Sequence, residues 1–116
     1  MKDDRLYLHH MVERCQRIMH IIGSGKESFI ASAELQDAVI RNLEVIGEAA
    51  KRVSLETRTL LPDVDWKRIC GMRDVLIHNY MGVDVQEVWN VASMRVPELR
   101  SALVRYLSVE AETDLE

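Results

Sequence analysis

Four side chains that can transfer a proton or bind a phosphate lie close together in the second half of the chain. They are Arg73, Asp74, His78 and Tyr80, in the otherwise mostly apolar segment 70–82. Burying a charged or hydrogen-bonding side chain without a partner costs free energy. The protein must therefore either pair these groups or use them for chemistry.

The spacing of the four residues suits one helix. Successive helical residues are rotated by about 100 degrees, so Arg73 and Tyr80 point nearly the same way. Asp74 lies one helical turn before His78 and can therefore hold and orient its imidazole. Gly82 indicates a helix end nearby, which places His78 in the last turn. The helix dipole and Asp74 favour the His78 cation there, so acid-base chemistry is available near neutral pH.

A structural interpretation of the same residues is also open. Arg73 could form a buried salt bridge with Glu44 or Glu48 of an earlier helix, while His78 and Tyr80 could be ordinary residues at a helix end. The spacing alone favours this structural interpretation, because a single cluster of Arg, His and Tyr is a weak signal of catalysis.

The rest of the chain predicts the elements that position this segment. Apolar residues recur at helical spacing in four long stretches, at about 4–22, 32–53, 66–80 and 85–107. A short helix or helical turn is predicted at 54–61, ended by Pro62, and the polar segment 23–28 is predicted to be a turn. Pro97 predicts a kink in the last helix. The expected N-terminal caps are Asp3 or Asp4, Ser32, Asp65 and Asp84.

Length and composition indicate one soluble globular domain, 1–116. The chain has 116 residues, of which 47% are hydrophobic and 29% charged, which excludes a disordered or fibrous protein. Four helices with short connections predict an all-α fold, an antiparallel up-and-down bundle of four to five helices with a kink near Pro97. The acidic tail 108–116 is expected to fray.

Charge, hydropathy and cysteine usage narrow the possible functions. A formal net charge of −4 gives no general attraction to nucleic acid, so any RNA site must be local. With no apolar run long enough to cross a bilayer and no secretory signal, a cytoplasmic protein without membrane contact is expected. Cys15 and Cys70 lack metal-ligand spacing and are expected to be packing thiols, and neither a metal site nor a cofactor is expected. The other histidines and the tryptophans are interpreted as surface, core or dimer-contact residues: His9, His10, His20, Trp66 and Trp89.

The pattern Arg73-x4-His78-x-Tyr80 is similar to the signature of the HepT-like toxins, a branch of the HEPN (higher eukaryotes and prokaryotes nucleotide-binding) superfamily. The surrounding sequence resembles that family too, at Ile46-Gly47-Glu48-Ala49-Ala50, Asp65-Trp66, Gly71-Met72-Arg73-Asp74 and Val83-Asp84. The likeness covers nearly the whole chain, with no departure from the motif.

This resemblance implies a homodimer whose two motifs meet in a cleft at the interface and cleave RNA, either tRNA or mRNA, without a metal ion. Arg73 would neutralise the charge on the scissile phosphate, and His78 would move a proton at the 2′-hydroxyl or the leaving oxygen. Asp74 would orient His78. A 2′,3′-cyclic phosphate is the expected product.

The resemblance also implies a partner. In the family, the motif tyrosine, here Tyr80, accepts AMP from a minimal nucleotidyltransferase, the antitoxin. A bulky anionic group beside Arg73 would repel RNA. The expected function is thus that of a toxin ribonuclease in a type II toxin-antitoxin system. The alternatives are a non-catalytic nucleotide-binding or scaffolding dimer that docks a nucleotidyltransferase, and a purely structural dimeric bundle.

Overall fold

The computed structural model of the protein describes residues 2–78 and 84–115, with side chains described for residues 3–72 and 84–111. These ranges contain helices and no strand, which confirms the predicted all-α fold class. The helices are α1 (Lys2–Ile21), α2 (Lys26–Ile30), α3 (Ala33–Arg52), α4 (Leu55–Thr59), α5 (Trp66–His78), α6 (Val85–Asn90) and α7 (Val96–Leu115). None of these helices is both long and apolar enough to cross a bilayer.

The bundle is built by four long helices, α1, α3, α5 and α7. Helix α1 packs against both α3 and α7, while α5 packs mainly on α3. The start of α1 contacts the residues that follow α3, through Asp4 and Ser54, so these two helices are antiparallel as predicted. The largest fully buried side chains form the core: Leu8, Met11, Ile18, Phe29, Leu43, Ile46 and Leu103.

The predicted cap of the second long helix is confirmed. Ser32 Oγ accepts a hydrogen bond from the backbone N–H of Leu35 at 3.2 Å, directly before α3. The short helix predicted after α3 is α4, and Ser54 caps it by accepting from the N–H of Thr57 at 3.2 Å. Such side-chain caps satisfy N–H groups that have no partner inside the helix.

The expectation that Asp3 or Asp4 caps α1 is wrong. Helix α1 already begins at Lys2, and the Asp4 side chain, only 4% exposed, turns to α4 instead. Its carboxylate accepts from the Ser54 N–H at 3.0 Å, from the Ser54 hydroxyl at 2.6 Å and from the Thr57 hydroxyl at 2.6 Å. Asp4 therefore joins the start of α1 to the start of α4.

The segment 23–28, predicted to be a turn, contains the start of a short helix that was not expected. A 3-10 turn at Ile22–Ser24 leads to Gly25, whose positive φ of 97° favours glycine, and α2 follows at once. The reason for this helix is Phe29, which is fully buried with its ring centroid 5.5 Å from that of Trp89. Burying one large aromatic side chain anchors a helix that is too short to be stable alone.

The kink predicted near Pro97 stays a prediction, but the helix is irregular directly before this residue. A π-helical turn, Val91–Arg95, separates α6 from α7. Pro97 is the second residue of α7 and has no backbone N–H to donate to the preceding π-helical turn. Ser93 Oγ donates to the carbonyl oxygen of Trp89 at 2.7 Å within this turn. Helix α7 extends to Leu115, beyond the end predicted near residue 107.

Candidate active site

Helix α5 carries the first part of the motif, from Arg73 to His78. It runs without interruption from Trp66 to His78, so Arg73, Asp74 and His78 lie on one helix, as the sequence predicted. The side chains of these three residues, and Tyr80 as a whole, lie outside the described residues. The roles assigned to Arg73, Asp74, His78 and Tyr80 therefore remain predictions, and the described surroundings of α5 supply the site's structural context.

The start of α5 is fixed by two hydrogen bonds, of which one is an N-terminal cap. Asp65 Oδ1 accepts from the backbone N–H of Arg68 at 3.1 Å, which confirms the predicted cap. The indole of Trp66, 8% exposed, donates from Nε1 to the carbonyl oxygen of Leu61 at 3.2 Å. Trp66 is thus a core residue, as expected, and it holds the first turn of α5 against the preceding loop.

Sequence reasoning missed Arg58, which links three elements beside the start of α5. Its guanidinium donates to the carbonyl oxygens of Val53 at 3.1 Å and Ala50 at 3.0 Å, where α3 ends. The same group lies 5.7 Å from the ring centroid of Trp66. A cation near the last carbonyl groups of a helix is stabilised by the helix dipole, and a cation over an indole ring is stabilised by a cation–π interaction. An arginine eight residues before a tryptophan gives no local signal of this arrangement.

Helix α6 begins on the other side of residues 79–83. Asp84 Oδ1 accepts from the N–H groups of Gln86 at 2.9 Å and Glu87 at 3.4 Å, which confirms the predicted cap. An ion pair between Arg68 and Glu87, 3.9 Å apart, joins α5 to α6. Both side chains are mostly exposed, so this pair contributes little stability.

In the structural interpretation, Arg73 forms a salt bridge with Glu44 or Glu48. Glu44 lies 3.9 Å from Arg41, one turn earlier on α3, and Glu48 is exposed. Because the Arg73 side chain falls outside the described part of the chain, the salt-bridge alternative also remains a prediction.

Two open cavities flank the long helices. One, of about 450 Å³, lies between α5 and α7 over α3. The other, of about 380 Å³, lies between α1 and α3 and includes Tyr7, His10 and Arg52. The Arg52 guanidinium lies 5.9 Å from the Tyr7 ring centroid there. The α5–α7 cavity borders the described part of the motif helix, through Arg68, Ile69 and Met72.

The remaining candidates have the structural roles that the sequence predicted. Both cysteines are free thiols, and Cys15 is fully buried. Burial raises the pKa of the Cys15 thiol to about 12, although the nearby Arg100 charge opposes the shift. Cys15 is therefore protonated and unreactive at neutral pH. The other histidines are exposed on α1: His9, His10 and His20. Among the described residues, no group of side chains could hold a metal ion.

Comparison with known proteins gives the class and then the family. The protein is of the HEPN class, an all-helical bundle in which Arg73 and His78 lie on one helix. The chain matches the family model described as Ribonuclease HepT-like over residues 11–106. It therefore belongs to the HepT-like ribonuclease family.

Individual relatives support this membership. The chain is 38% identical over 111 residues to a protein of Caldanaerobacter subterraneus subsp. tengcongensis named "Putative RNase", covering 95% of this chain and 99% of that protein. A protein of Thermococcus cleftensis named "Probable ribonuclease HepT" is 42% identical over 74 residues, covering 64% of this chain and 67% of the relative. No solved structure matches the chain.

Proposed function

We propose that this protein is the toxin of a type II toxin-antitoxin system and acts as a metal-independent endoribonuclease. The observation that carries the proposal is the family match over residues 11–106, in a chain that keeps the complete motif Arg73-x4-His78-x-Tyr80. Arg73 and His78 are the catalytic residues of this proposal, and Asp74 orients His78. The substrate is tRNA or mRNA.

The proposed reaction is an intramolecular transesterification at one phosphate group of the RNA. The 2′-hydroxyl loses its proton as its oxygen attacks the adjacent phosphorus, and the bond to the 5′-oxygen of the next nucleotide breaks as that oxygen takes up a proton. His78 transfers one of these two protons. The products are a 2′,3′-cyclic phosphate and a 5′-hydroxyl. The fixed charge of the Arg73 guanidinium stabilises the negative charge that grows on the non-bridging phosphate oxygens.

The test of this proposal uses the unmodified protein. Expression of the chain alone should arrest growth, and the purified protein should cleave tRNA or mRNA with EDTA present. The cleaved ends should carry the 2′,3′-cyclic phosphate. Growth without arrest, together with RNA left intact at high protein concentration, would instead indicate the non-catalytic scaffolding dimer.

The proposal includes a homodimer and an antitoxin partner. The partner is a minimal nucleotidyltransferase, which switches the toxin off by transferring AMP to Tyr80. The modified tyrosine carries phosphate charge seven positions from Arg73 on the chain, where it would compete with the RNA phosphate.

Modification at Tyr80 predicts a change in mass. Co-expression with a nucleotidyltransferase encoded beside this chain should raise the intact mass in steps of one AMP group. The Tyr80→Phe variant should show no such step and should remain toxic, because it lacks the acceptor hydroxyl. Tyr7→Phe is the matched control, since Tyr7 lies on α1 beside Arg52, and it should be modified like the wild type. Mass steps that persist in Tyr80→Phe would contradict the assignment.

A further inference from the structure

The cavity between α1 and α3, called here the α1–α3 groove, has a polar wall along α1. It has a volume of about 380 Å³ and lies on the side of α3 opposite to Leu43 and Ile46, which border the α5–α7 cavity. Tyr7, His10 and Arg14 follow one another along the α1 wall at spacings of three and four residues, and therefore share one face of that helix. An open groove with such a wall suits a polar ligand.

Arg14 is a half-buried cation that is held in the groove by a neutral partner. Its Nη1 donates to Asn42 Oδ1 at 3.3 Å. The Asn42 side chain, only 7% exposed, also donates from Nδ2 to the carbonyl oxygen of Ala38 at 2.8 Å, so its own helix fixes its orientation. Among the residues whose side chains the structure describes, Arg14 has no ion-pair partner. Its positive charge is therefore positioned but not neutralised.

Arg52 is a second guanidinium of this kind, at the other end of the groove. It lies 5.9 Å from the ring centroid of Tyr7, and within the described part of the chain it has no ion-pair partner. A guanidinium stacked on an aromatic ring keeps its N–H groups available at its edge, where an anion can accept from them. Tyr7 precedes Arg14 by seven residues, so about 10 Å along α1 separates the two positioned cations.

The groove also contains three carboxylates, and each has another interaction. Glu13 forms an ion pair with Arg17 at 2.8 Å, and Glu44 lies 3.9 Å from Arg41. Glu48 has an interaction of its own as well. These carboxylates weaken the potential of the groove as a whole, so its attraction for an anion is local to the two positioned arginines.

The α1–α3 groove lies at the same level of the bundle as the motif. Arg58 contacts both Ala50 at the end of α3 and Trp66 at the start of α5, so these two helices are antiparallel. Arg73 follows Trp66 by seven residues, which places its backbone about 10 Å further along, beside the middle of α3. Asn42 lies in that middle part. The groove and the motif helix are thus separated by the width of α3, about 10 Å.

We propose that the α1–α3 groove is an additional binding site for the RNA substrate, in which Arg14 and Arg52 each bind a backbone phosphate away from the cleaved bond. This inference rests on the proposed ribonuclease function. Guanidinium groups form paired, charge-assisted hydrogen bonds to phosphate. Two positioned cations about 10 Å apart suit a chain of repeated phosphates better than a single phosphate group. The site gives the acidic protein a local attraction to RNA that does not depend on base sequence.

The test is RNA binding in the His78→Ala protein, so that bound RNA is not cut. Fluorescence anisotropy of a labelled single-stranded RNA is measured at several salt concentrations. Arg14→Gln and Arg52→Gln should each weaken binding about tenfold. Each should also reduce the slope of log affinity against log salt by about 0.7, the value for one phosphate contact on a single strand. The loss should be equal for RNAs of different sequence.

Control variants separate phosphate binding from a structural effect. Glu13→Gln removes a carboxylate from the groove and releases Arg17, so RNA binding should become severalfold tighter. Arg14→Lys keeps the charge and should keep most of the affinity. Lys26→Gln removes an exposed charge outside the groove and should leave affinity and salt slope unchanged. With His78 intact, Arg14→Gln should raise KM for RNA and leave kcat unchanged, because the groove does not touch the reacting bond.

Three results would overturn the additional site. The first is no RNA binding to the His78→Ala protein at tens of micromolar and low salt. The second is unchanged affinity and salt slope in both arginine variants. The third is binding of AMP or inorganic phosphate that Arg14→Gln abolishes while RNA affinity stays the same, which would indicate a site for a free phosphate group.

Failure of the additional site can be distinguished from failure of the ribonuclease assignment. RNA that binds through both arginines but is never cleaved by the protein with His78 intact would refute the ribonuclease and leave the site standing. RNA that is cleaved with the same KM in wild type, Arg14→Gln and Arg52→Gln would refute the site and leave the ribonuclease standing.

Discussion

Arg73→Ala and His78→Ala are each expected to lower the rate of RNA cleavage by about two to four orders of magnitude. This is the range that a positioned acid-base group or one strong electrostatic contact to the transition state provides. Arg73→Lys should retain only part of the rate, because an ammonium cannot form the paired hydrogen bonds of a guanidinium to phosphate. The measurement is initial-rate cleavage of a labelled RNA at saturating and limiting substrate.

Controls separate catalysis from folding in this experiment. His20→Ala removes an exposed histidine near the end of α1 and should cleave like the wild type. The unfolding transition of each variant should match that of the wild type. The loss of a motif side chain is expected to lower the cleavage rate and to leave the stability of the fold unchanged. Activity unchanged in both Arg73→Ala and His78→Ala would refute the catalytic assignment.

The placement of Arg73, Asp74 and His78 on one helix could be predicted from sequence, because it depends on local information only. Once Trp66–His78 is helical, the relative positions of Arg73, Asp74 and His78 along it follow from the helical repeat. The alternatives for Arg73 could not be separated in this way. A partner on α3 depends on how α3 and α5 pack, and a partner in a second copy depends on assembly.

The fold shows the same division between local and long-range information. Caps such as Ser32 and Asp84 depend on backbone groups two or three residues away, and the structure confirms them. Arg58, which joins the end of α3 to Trp66, depends on contacts between separate elements. The helix at Lys26–Ile30 was missed for a similar reason, because Phe29 needs Trp89 of a distant segment to bury its ring.

The α5–α7 cavity illustrates another limit. The apolar stripes of α3, α5 and α7 were predicted, but periodicity does not tell which part of a stripe a neighbouring helix leaves uncovered. Leu43 and Leu99 lie on predicted stripes, yet Leu43 is almost fully buried and Leu99 only partly so. Which part of a stripe stays open depends on how α5 and α7 pack on α3, and the local sequence pattern does not contain that information.

Asp4→Ala is expected to lower the free energy of unfolding by about 3 kcal/mol at neutral pH. The substitution removes the acceptor of three hydrogen bonds from Ser54 and Thr57 and leaves their donors in a largely buried place. Asp3→Ala is the matched control, because it removes the same charge one residue earlier from an exposed side chain. It should change the stability by only a few tenths of a kcal/mol.

The effect of Asp4 should also depend on pH in a specific direction. Burial by itself would raise the pKa of Asp4, but the hydrogen bonds from Ser54 and Thr57 outweigh it and hold the pKa below its usual value. A carboxylate whose pKa is lower in the folded than in the unfolded state stabilises the fold above its unfolded pKa of about 4. That stability is lost as the pH falls through the lower, folded pKa.

Urea unfolding from neutral pH down into the acid range measures both effects. One fixed protein concentration keeps any contribution of self-association equal between the variants. The stability difference between wild type and Asp4→Ala should stay constant above about pH 5 and shrink below about pH 4. An equal loss in Asp3→Ala, or a difference that does not shrink in acid, would show that Asp4 does not link α1 to α4 as a charged acceptor. The expected result would make this one carboxylate a main reason why α4 forms at all, since five residues cannot sustain a helix alone.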